Sequence, residues 1–427
     1  MTKNQKTTNI KNNPWTAEDE REHFPSMIEW WCSMVHFKTK DDREYSFKST
    51  FTEWNEFGKI GSILHSCLHE NKKNFEFYDR NEEEKLVTKE KEFFVKYDNS
   101  WLKGTYPNYQ LFFHDKKNEI KLNLDFNAKS LPHWVAQDVT NGWLPMGGGV
   151  YRYGFIPVCE VTGTIEKDNR KSEIKGKGYF EHVWGNFLYD RPLSTIGELK
   201  KTFSTYMKIL LWWLGEHKPK IHPSIKISTD NNPFGYDWAW AVFDNGWSLF
   251  YGNILGFFMK GPGAGVLILT KDGKEYKEIG NFSLKYNSTK KSKNFDFLYP
   301  DDFEIEAKKG KETLKLRFKM KTDAREYISK FKESKLWKGF VICESPGDVQ
   351  GYYSNEEEKV ELKGFCKIEP QRQVSVFGHN SLEIKFLKSK KKIGFKMDFE
   401  SNFFGKKINS EINLLPIPKI SFNFKKM

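Results

Sequence analysis

The chain has 427 residues, of which 38% are hydrophobic, 30% are charged and 16% are aromatic. This composition excludes a helical membrane protein, because no run of about 18 uncharged apolar residues is present, and it is too aromatic for a disordered chain. Lys and Arg (69) exceed Asp and Glu (57), so the formal net charge is +12. Since the length is sufficient for two or three domains, we expect a large core built mostly from aromatic rings.

The N-terminal segment is polar and lacks the apolar core of a signal peptide. We predict a disordered N-terminus over residues 1–19. The five cysteines are scattered along the chain and form no C-x-x-C pair, which is typical of a reducing compartment. We therefore expect a cytoplasmic protein.

Residues 20–190 show two-residue alternation of apolar and polar side chains, for example over residues 119–124. Alternating segments separated by turn signals predict short antiparallel strands. This block contains Glu29-Trp30-Trp31 near its start and the sequence GKGYFEHVWGN, residues 176–186, at its end. It is predicted to form a first β-domain.

Residues 191–230 are predicted to be a helical connector. From Ser194 to Glu216 the apolar residues recur at three- and four-residue steps, which predicts an amphipathic helix. Trp212 and Trp213 make one part of it very apolar. The helix either packs on a β-barrel or lies in a membrane interface, where tryptophan is favoured.

Residues 231–375 are again strand-like and are predicted to form a second β-domain. The block contains Tyr236-Asp237-Trp238-Ala239-Trp240 and a turn signal at Asn245-Gly246. Near its end, residues 364–369 (GFCKIE) are similar to residues 176–181 (GKGYFE), since each has a glycine, an aromatic residue and an acid. This similarity indicates a duplicated barrel.

Residues 376–427 form a basic, strand-rich tail in this prediction. From Ser381 to Met427 there are 11 Lys and 4 acidic residues. Such a tail can be a solvated face or can contact an anionic membrane. We expect no nucleic-acid partner, because no nucleic-acid-binding motif accompanies the charge.

Three segments combine an acid with neighbouring tryptophans, and they contain Glu29, Glu181 and Asp237. Neighbours on a strand face opposite sides, so Glu29 shares a face with Trp31, His182 shares one with Trp184, and Asp237 lies opposite Trp238 and Trp240. A carboxyl group buried among rings has a raised pKa and remains protonated near neutral pH. Such a group can act as a general acid.

These segments resemble the family of lipocalin-like carotenoid 1,2-hydratases (hydroxyneurosporene synthases) and AttH-like proteins, with plant tocopherol cyclases and fungal Diels–Alderases as distant relatives. That family has an EWW strand, a G-x-G-aromatic-acid-His-x-Trp-Gly segment and a W-D-W strand, and the resemblance covers roughly residues 20–375. Cys32 stands where the family has an aromatic residue, and Glu181 stands where Asp is usual. The resemblance implies an all-β fold of two tandem lipocalin-like antiparallel β-barrels with one inserted amphipathic helix. It also implies a ligand site near their interface for a hydrophobic molecule such as an isoprenoid or polyene.

The chemistry implied by the resemblance is hydration or cyclisation of an alkene, without a metal or an organic cofactor. A dry acid protonates one carbon, ring faces stabilise the cation, and water or an internal nucleophile quenches it. We predict Asp237 as the proton donor with Tyr236 as its hydrogen-bond partner or relay, and we predict that His182 and Trp184 orient the acid and stabilise the cation. Further acids and pocket walls are predicted at Glu29, Glu181, Trp30, Trp31, Trp238 and Trp240.

Other interpretations remain open for the same residues. The tryptophans can be core packing, and the acids and His182 can be structural hydrogen-bonding groups. The protein can also be a non-catalytic carrier of a hydrophobic ligand, whose helix and basic tail dock on an anionic membrane. A third alternative is a pericyclase that folds a polyene by shape alone.

Overall fold

The structure is a computed structural model that describes residues 15–426 except for 24, 57, 72, 84, 188–197, 218–222, 229–234, 254–257, 331–336, 377, 390–391, 403 and 416–417. Within these residues the chain is almost entirely β, and its strands form two antiparallel sheets. The helical elements described are a 3₁₀ turn at Ala17–Glu20, a short α1 at Gln137–Thr140 and α2 at Leu199–His217. The predicted all-β fold of two tandem antiparallel units with one inserted helix is confirmed.

The first sheet contains 13 described strands in the order β4-β3-β2-β1-β13-β12-β9-β8-β7-β6-β5, with β10 and β11 paired to β12. It curls, because β5 and β6 at one end return to contact β2. Its strands are β1 Ile28–Thr39, β2 Glu44–Glu56, β3 Lys59–Glu70, β4 Lys73–Asn81, β5 Leu86–Thr88, β6 Phe93–Tyr97, β7 Ser100–Thr105, β8 Asn108–Asp115, β9 Ile120–Ala128, β10 His133–Trp134, β11 Trp143–Met146, β12 Gly149–Lys167 and β13 Arg170–Asn186.

The second sheet contains 16 described strands in the order β19-β18-β16-β15-β25-β24-β22-β21-β20-β17-β14-β26-β27-β28-β29, with β23 paired to β24. It includes the basic tail as β26 to β29. Its strands are β14 Ser224–Ser228, β15 Tyr236–Phe243, β16 Ser248–Asn253, β17 Phe258–Pro262, β18 Gly265–Thr270, β19 Tyr276–Ile279, β20 Phe282–Lys291, β21 Leu298–Lys309, β22 Glu312–Met320, β23 Arg325–Lys330, β24 Trp337–Ser354, β25 Lys359–Ser375, β26 Asn380–Ser389, β27 Lys392–Ser401, β28 Lys406–Leu415 and β29 Lys419–Lys426.

The two sheets repeat one arrangement around a long hairpin. In the first sheet, β13 lies between β1 and β12 with Gly176 opposite Phe37. In the second, β25 lies between β15 and β24 with Gly364 opposite Phe243. Counting along the strands from these two matched pairs gives each position of one sheet a counterpart in the other. We call such counterparts register equivalents. Gly163 and Gly351 are equivalent on β12 and β24, and at both an added Cβ would come within about 2 Å of a carbonyl oxygen on the neighbouring strand. Such close backbone approach requires glycine.

Alternate residues of the central strands enter different cores. On β1, Trp31 and Val35 pack inside the first sheet, whereas Cys32 and Met34 face the second sheet. On β15, Ala239 and Ala241 pack inside the second sheet, whereas Trp238 and Trp240 face the first. The two-residue period thus provides both faces with apolar side chains. The described residues form three apolar clusters: one in each sheet and one between the sheets.

Helix α2 lies within the segment predicted to be helical, although residues 194–197 are outside the described part of the chain. It packs beside β11 and β12. Thr202 donates to the carbonyl of Gly148, and Trp213 Nε1–H donates to the carbonyl of Gly263 (2.6 Å). No helix among the described residues is long and apolar enough to cross a membrane.

Candidate functional site

A cavity of about 440 Å³ lies between the two sheets and extends beneath α2. Its wall is mostly apolar, and it receives side chains from β1, β12 and β13 of the first sheet and from β15, β16 and β25 of the second. The residues predicted for the site that line it are Trp30, Glu181, Tyr236, Asp237 and Trp238. The cavity is therefore at the interface that the resemblance implied.

Glu181 reaches this cavity from β13 and has no cationic partner among the described residues. Its Oε1 accepts a hydrogen bond from Trp30 Nε1–H (3.0 Å), and its Oε2 accepts from the hydroxyls of Tyr179 (2.8 Å) and Tyr153. Burial raises the pKa of Glu181; the nearby Glu369 adds to the rise, while the hydrogen bonds oppose it. A buried carboxyl group surrounded by neutral donors is suited to hold and release a proton.

Glu369 reaches the same cavity from β25 in a different environment. Its Oε1 accepts a hydrogen bond from the hydroxyl of Tyr236 (2.9 Å), and its Oε2 accepts one from the Lys48 ammonium group. Lys48 also bonds to Glu344 Oε2 (3.0 Å), so one cation bridges two buried carboxylates. Burial disfavours the ionised form of Glu344, but Lys367 and Lys48 outweigh it and hold the pKa of Glu344 well below its usual range.

Glu181 and Glu369 are register equivalents, and so are the aromatic residues that donate a hydrogen bond to Oε1 of each. Glu181 follows Gly176 by the same number of residues as Glu369 follows Gly364. Trp30 on β1 is equivalent to Tyr236 on β15. The Trp30 indole N–H donates to Glu181 and the Tyr236 hydroxyl donates to Glu369, so each bonds to the glutamate of its own sheet. The cavity therefore receives an equivalent glutamate from each repeat.

Asp237 is buried and lines the cavity, but its carboxylate bonds to residues of the second sheet. Arg372 Nη2–H donates to its Oδ1 (2.6 Å) and the Tyr286 hydroxyl donates to its Oδ2. Burial raises the pKa of Asp237, while Arg372 and Tyr286 oppose the rise. The predicted partner Tyr236 instead bonds to Glu369, so that part of the prediction is wrong. The acid and its guanidinium partner form a buried ion pair.

His182 and Trp184 were predicted to orient Asp237, and the structure does not bring them to it. Both residues lie on the face of β13 opposite to Glu181, which is the interior of the first sheet. There the His182 ring stacks on the Trp31 ring at a centroid distance of 4.8 Å. His182 Nδ1–H donates to the carbonyl of Asp19 (2.7 Å), and its Nε2 lies 2.8 Å from Glu29 Oε1. The physical reason is the strand period, since the residue next to a cavity-facing acid must face away.

Glu29 and Trp31 also lie on this far face and do not line the cavity. Glu29 accepts from the backbone N–H of His23 (3.0 Å), and Trp31 Nε1–H donates to the carbonyl of Glu20 (2.9 Å). Burial raises the pKa of Glu29, but the hydrogen bonds to His182 and His23 outweigh it and the net shift is downward. These contacts fasten the segment that precedes β1 to the first sheet.

The predicted pocket walls Trp238 and Trp240 both face the first sheet. Trp238 lines the cavity, and its indole N–H has no hydrogen-bond partner among the described residues. Trp240 does not line it; its Nε1–H donates to the carbonyl of Pro157 (2.8 Å). Trp238 can therefore contact a ligand, whereas Trp240 joins the two sheets.

Two groups of described residues bring three metal-ligating atoms together. They are His23, Glu29 and His182, and Cys67, His69 and Glu344. The first group is internally hydrogen-bonded. In the second, Lys367 Nζ lies 3.3 Å from His69 Nε2 and 3.6 Å from Glu344 Oε1, and its positive charge disfavours a cation there. Hydrogen bonding accounts for both groups.

Lys48, Glu369 and Tyr153 line the cavity but were not predicted as site residues. The repeat of residues 176–181 at 364–369 was the signal for Glu369, because equivalence to Glu181 places it on the same face. Lys48 carries no such signal, since a lysine in an alternating strand is usually exposed.

The fold has counterparts among solved structures. A protein assigned as AttH from Nitrosomonas europaea aligns over 84% of this chain and 97% of its own, with 14% identity and a TM-score of 0.56. Kievitone hydratase from Nectria haematococca aligns over 87% of this chain and 95% of its own, with 11% identity and a TM-score of 0.55. The chain thus shares its lipocalin-like fold with these two proteins. No protein-family model and no curated protein sequence matches it.

Proposed function

We propose that the protein is a cofactor-independent hydratase that adds water across a carbon–carbon double bond of an apolar small molecule, such as an isoprenoid. The observation that carries the proposal is the pair of register-equivalent glutamates in one cavity, of which one contacts neutral donors and the other a cation. Carboxyl groups in different environments can divide acid and base roles. The shared fold with a hydratase supports the same reaction class.

Glu181 takes the role first predicted for Asp237. Its protonated carboxyl group donates a proton to one alkene carbon, either directly or through the Tyr153 hydroxyl, which lines the cavity and bonds to Glu181 Oε2. The carbon–hydrogen bond forms as the double bond breaks, and the other carbon becomes a cation. Asp237 is less suited to this step, because Arg372 holds its carboxylate in an ion pair.

Ring faces and the second glutamate complete the reaction. Trp30, Trp238 and Phe250 line the cavity and can stabilise the cation through their π faces. The Glu369 carboxylate removes a proton from the attacking water as the carbon–oxygen bond forms. Glu369 then holds the proton that Glu181 has lost, and its return to Glu181 restores the resting state.

The size and lining of the cavity favour a compact apolar substrate. About 440 Å³ lies within the range of roughly 300–1,000 Å³ that is usual for small-molecule sites. The carotenoid substrates of the resembling family are longer, so we infer a shorter molecule or one that extends past α2. The N–H of Trp238 has no partner among the residues that the structure describes, and it favours a substrate with an oxygen acceptor.

The test is incubation of the protein with apolar alkenes in isotopically labelled water, followed by mass spectrometry. We expect a product heavier by one labelled water molecule. Glu181→Gln should lose turnover and retain ligand binding, whereas Glu29→Gln, a motif residue outside the cavity, should keep its turnover if it folds. Turnover by Glu181→Gln equal to wild type would refute the assignment. Tight binding of apolar ligands with no product from any alkene would favour the carrier.

A further inference from the structure

The outer face of α2 carries an apolar stripe that no described residue covers. Phe203 and Leu211 are 68% and 63% exposed. The other exposed apolar side chains follow the same helical spacing and are Leu199, Met207, Leu210 and Leu214. Single exposed apolar residues are ordinary on protein surfaces, but a continuous stripe of this kind marks a contact surface.

The charge on this helix is mostly positive, and its one acidic residue, Glu216, lies in the last turn. Between Leu199 and Gly215 the chain has three lysines and no acidic residue. Lys200 and Lys208 are exposed beside the stripe, while Lys201 lies over the Trp143 ring at 3.3 Å. An apolar stripe flanked by lysines is complementary to a bilayer with anionic headgroups.

The opposite face of α2 forms part of the cavity wall. Ile209, Trp212 and Trp213 line the cavity, and Leu210 and Tyr206 both line it and are partly exposed. The same helix turns therefore contact the cavity on one side and solvent on the other. An apolar molecule that leaves a lipid phase beside α2 would reach the cavity past these two side chains.

We propose that the outer face of α2 docks on an anionic phospholipid bilayer and that the cavity receives its ligand from that bilayer. The entry of substrate rests on the proposed function, whereas the docking does not. Phe203, Leu211 and Leu214 enter the acyl boundary, and Lys200 and Lys208 contact the headgroups.

The test of docking is cosedimentation with vesicles of phosphatidylcholine alone or mixed with phosphatidylglycerol. We expect binding to the mixed vesicles. The variant Phe203→Ser/Leu211→Ser should bind at least about tenfold more weakly, because each side chain loses its burial in lipid. The variant Lys200→Gln/Lys208→Gln should lose about fivefold per lysine.

The matched control is Phe424→Ser on β29, whose ring is 64% exposed but lies away from the cavity wall. It should bind vesicles like wild type, and thermal unfolding should show that all variants remain folded, since the changed side chains are exposed. The proposal is overturned if wild type does not bind the mixed vesicles, if the α2 variants bind equally well, or if only Phe424→Ser loses binding. A further contradicting outcome is that wild type is a dimer that does not bind vesicles and that the α2 variants are monomers. The outer face of α2 would then be a contact with a second copy of the chain.

Vesicle binding is measured without turnover, so the docking test can be interpreted even if the hydration assay detects no product. If docking occurs and the protein is a hydratase, the α2 variants should lose turnover of alkene supplied in vesicles but not of alkene supplied in dilute detergent. Equal loss with both supplies would contradict delivery from the bilayer.

Discussion

The two sheets place equivalent glutamates at one cavity but surround them differently. Tyr179, which donates to Glu181, is equivalent to Lys367 beside Glu369 in the second sheet. Likewise, Lys48 on β2 is the register equivalent of Phe250 on β16. Lys48 bonds to Glu369 across the interface, whereas Phe250 stacks edge-on to Tyr153 near Glu181, with ring centroids 5.5 Å apart. Different residues at these two pairs of equivalent positions thus give Glu181 uncharged neighbours and give Glu369 cationic ones.

The largest expected effect comes from removing each glutamate in turn. Glu181→Gln and Glu369→Gln should each lower turnover by about 10²–10⁴-fold, the usual contribution of a general acid or base. They should differ in deuterated water, because Glu369→Gln can still protonate the alkene and so label recovered substrate, whereas Glu181→Gln cannot. Mass spectrometry of recovered substrate measures this. Equal labelling by both variants would show that the two carboxyl groups do not divide the roles.

The next effect concerns stability. Lys48→Met leaves Glu344 and Glu369 without their shared cation, and we expect a loss of about 3–5 kcal/mol in the free energy of unfolding. Urea unfolding measures it, and Lys48→Met/Glu369→Gln should recover part of the loss. Lys40, whose side chain is 76% exposed in a salt bridge to Glu173, is the control. If Lys40→Met costs as much, the buried position of Lys48 is not the cause.

The third prediction is a pH dependence that belongs to Glu181. Its pKa is raised by folding, so between its unfolded value, about 4.3, and its folded value the native state holds the extra proton. The stability of the wild type therefore falls as pH rises through this window, by about 1.4 kcal/mol per pH unit. The stability of Glu181→Gln relative to wild type should rise over the same window and then level off. A constant difference would contradict a raised pKa.

The smallest expected effect comes from removing the hydrogen bond that Trp30 or Tyr236 donates to its glutamate. Trp30→Phe removes a hydrogen bond that lowers the pKa of Glu181, so the alkaline limb of the activity profile should move to higher pH by up to about one unit. Tyr236→Phe removes the equivalent bond to Glu369 and should leave that limb in place. A shift in the opposite direction for Trp30→Phe would mean that another group controls the limb.

Alternation along the strands predicted the fold and the sharing of faces, because both depend on local period. It did not predict which face meets the cavity. Glu181 and His182 are neighbours, and only the packing of β13 between the two sheets decides that Glu181 is the one at the interface.

Contacts between residues far apart in the chain also could not be predicted from the pattern of a single strand. Asp237 and Arg372 are 135 residues apart, and their ion pair depends on the register of β15 with β25. Lys48 is buried because β2 faces the second sheet, which no property of its own strand reveals. In each case the missing information was the arrangement of the sheets.

The bridge from Lys48 to Glu344 and Glu369 links folding of the N-terminal and C-terminal portions. If the chain were cut within the connecting helix and the C-terminal fragment produced by itself, Glu369 would lose its cationic partner Lys48 and Glu344 would keep only Lys367. That fragment would therefore favour reassembly with the N-terminal fragment. Co-expression of the fragments should then rescue solubility that neither achieves singly.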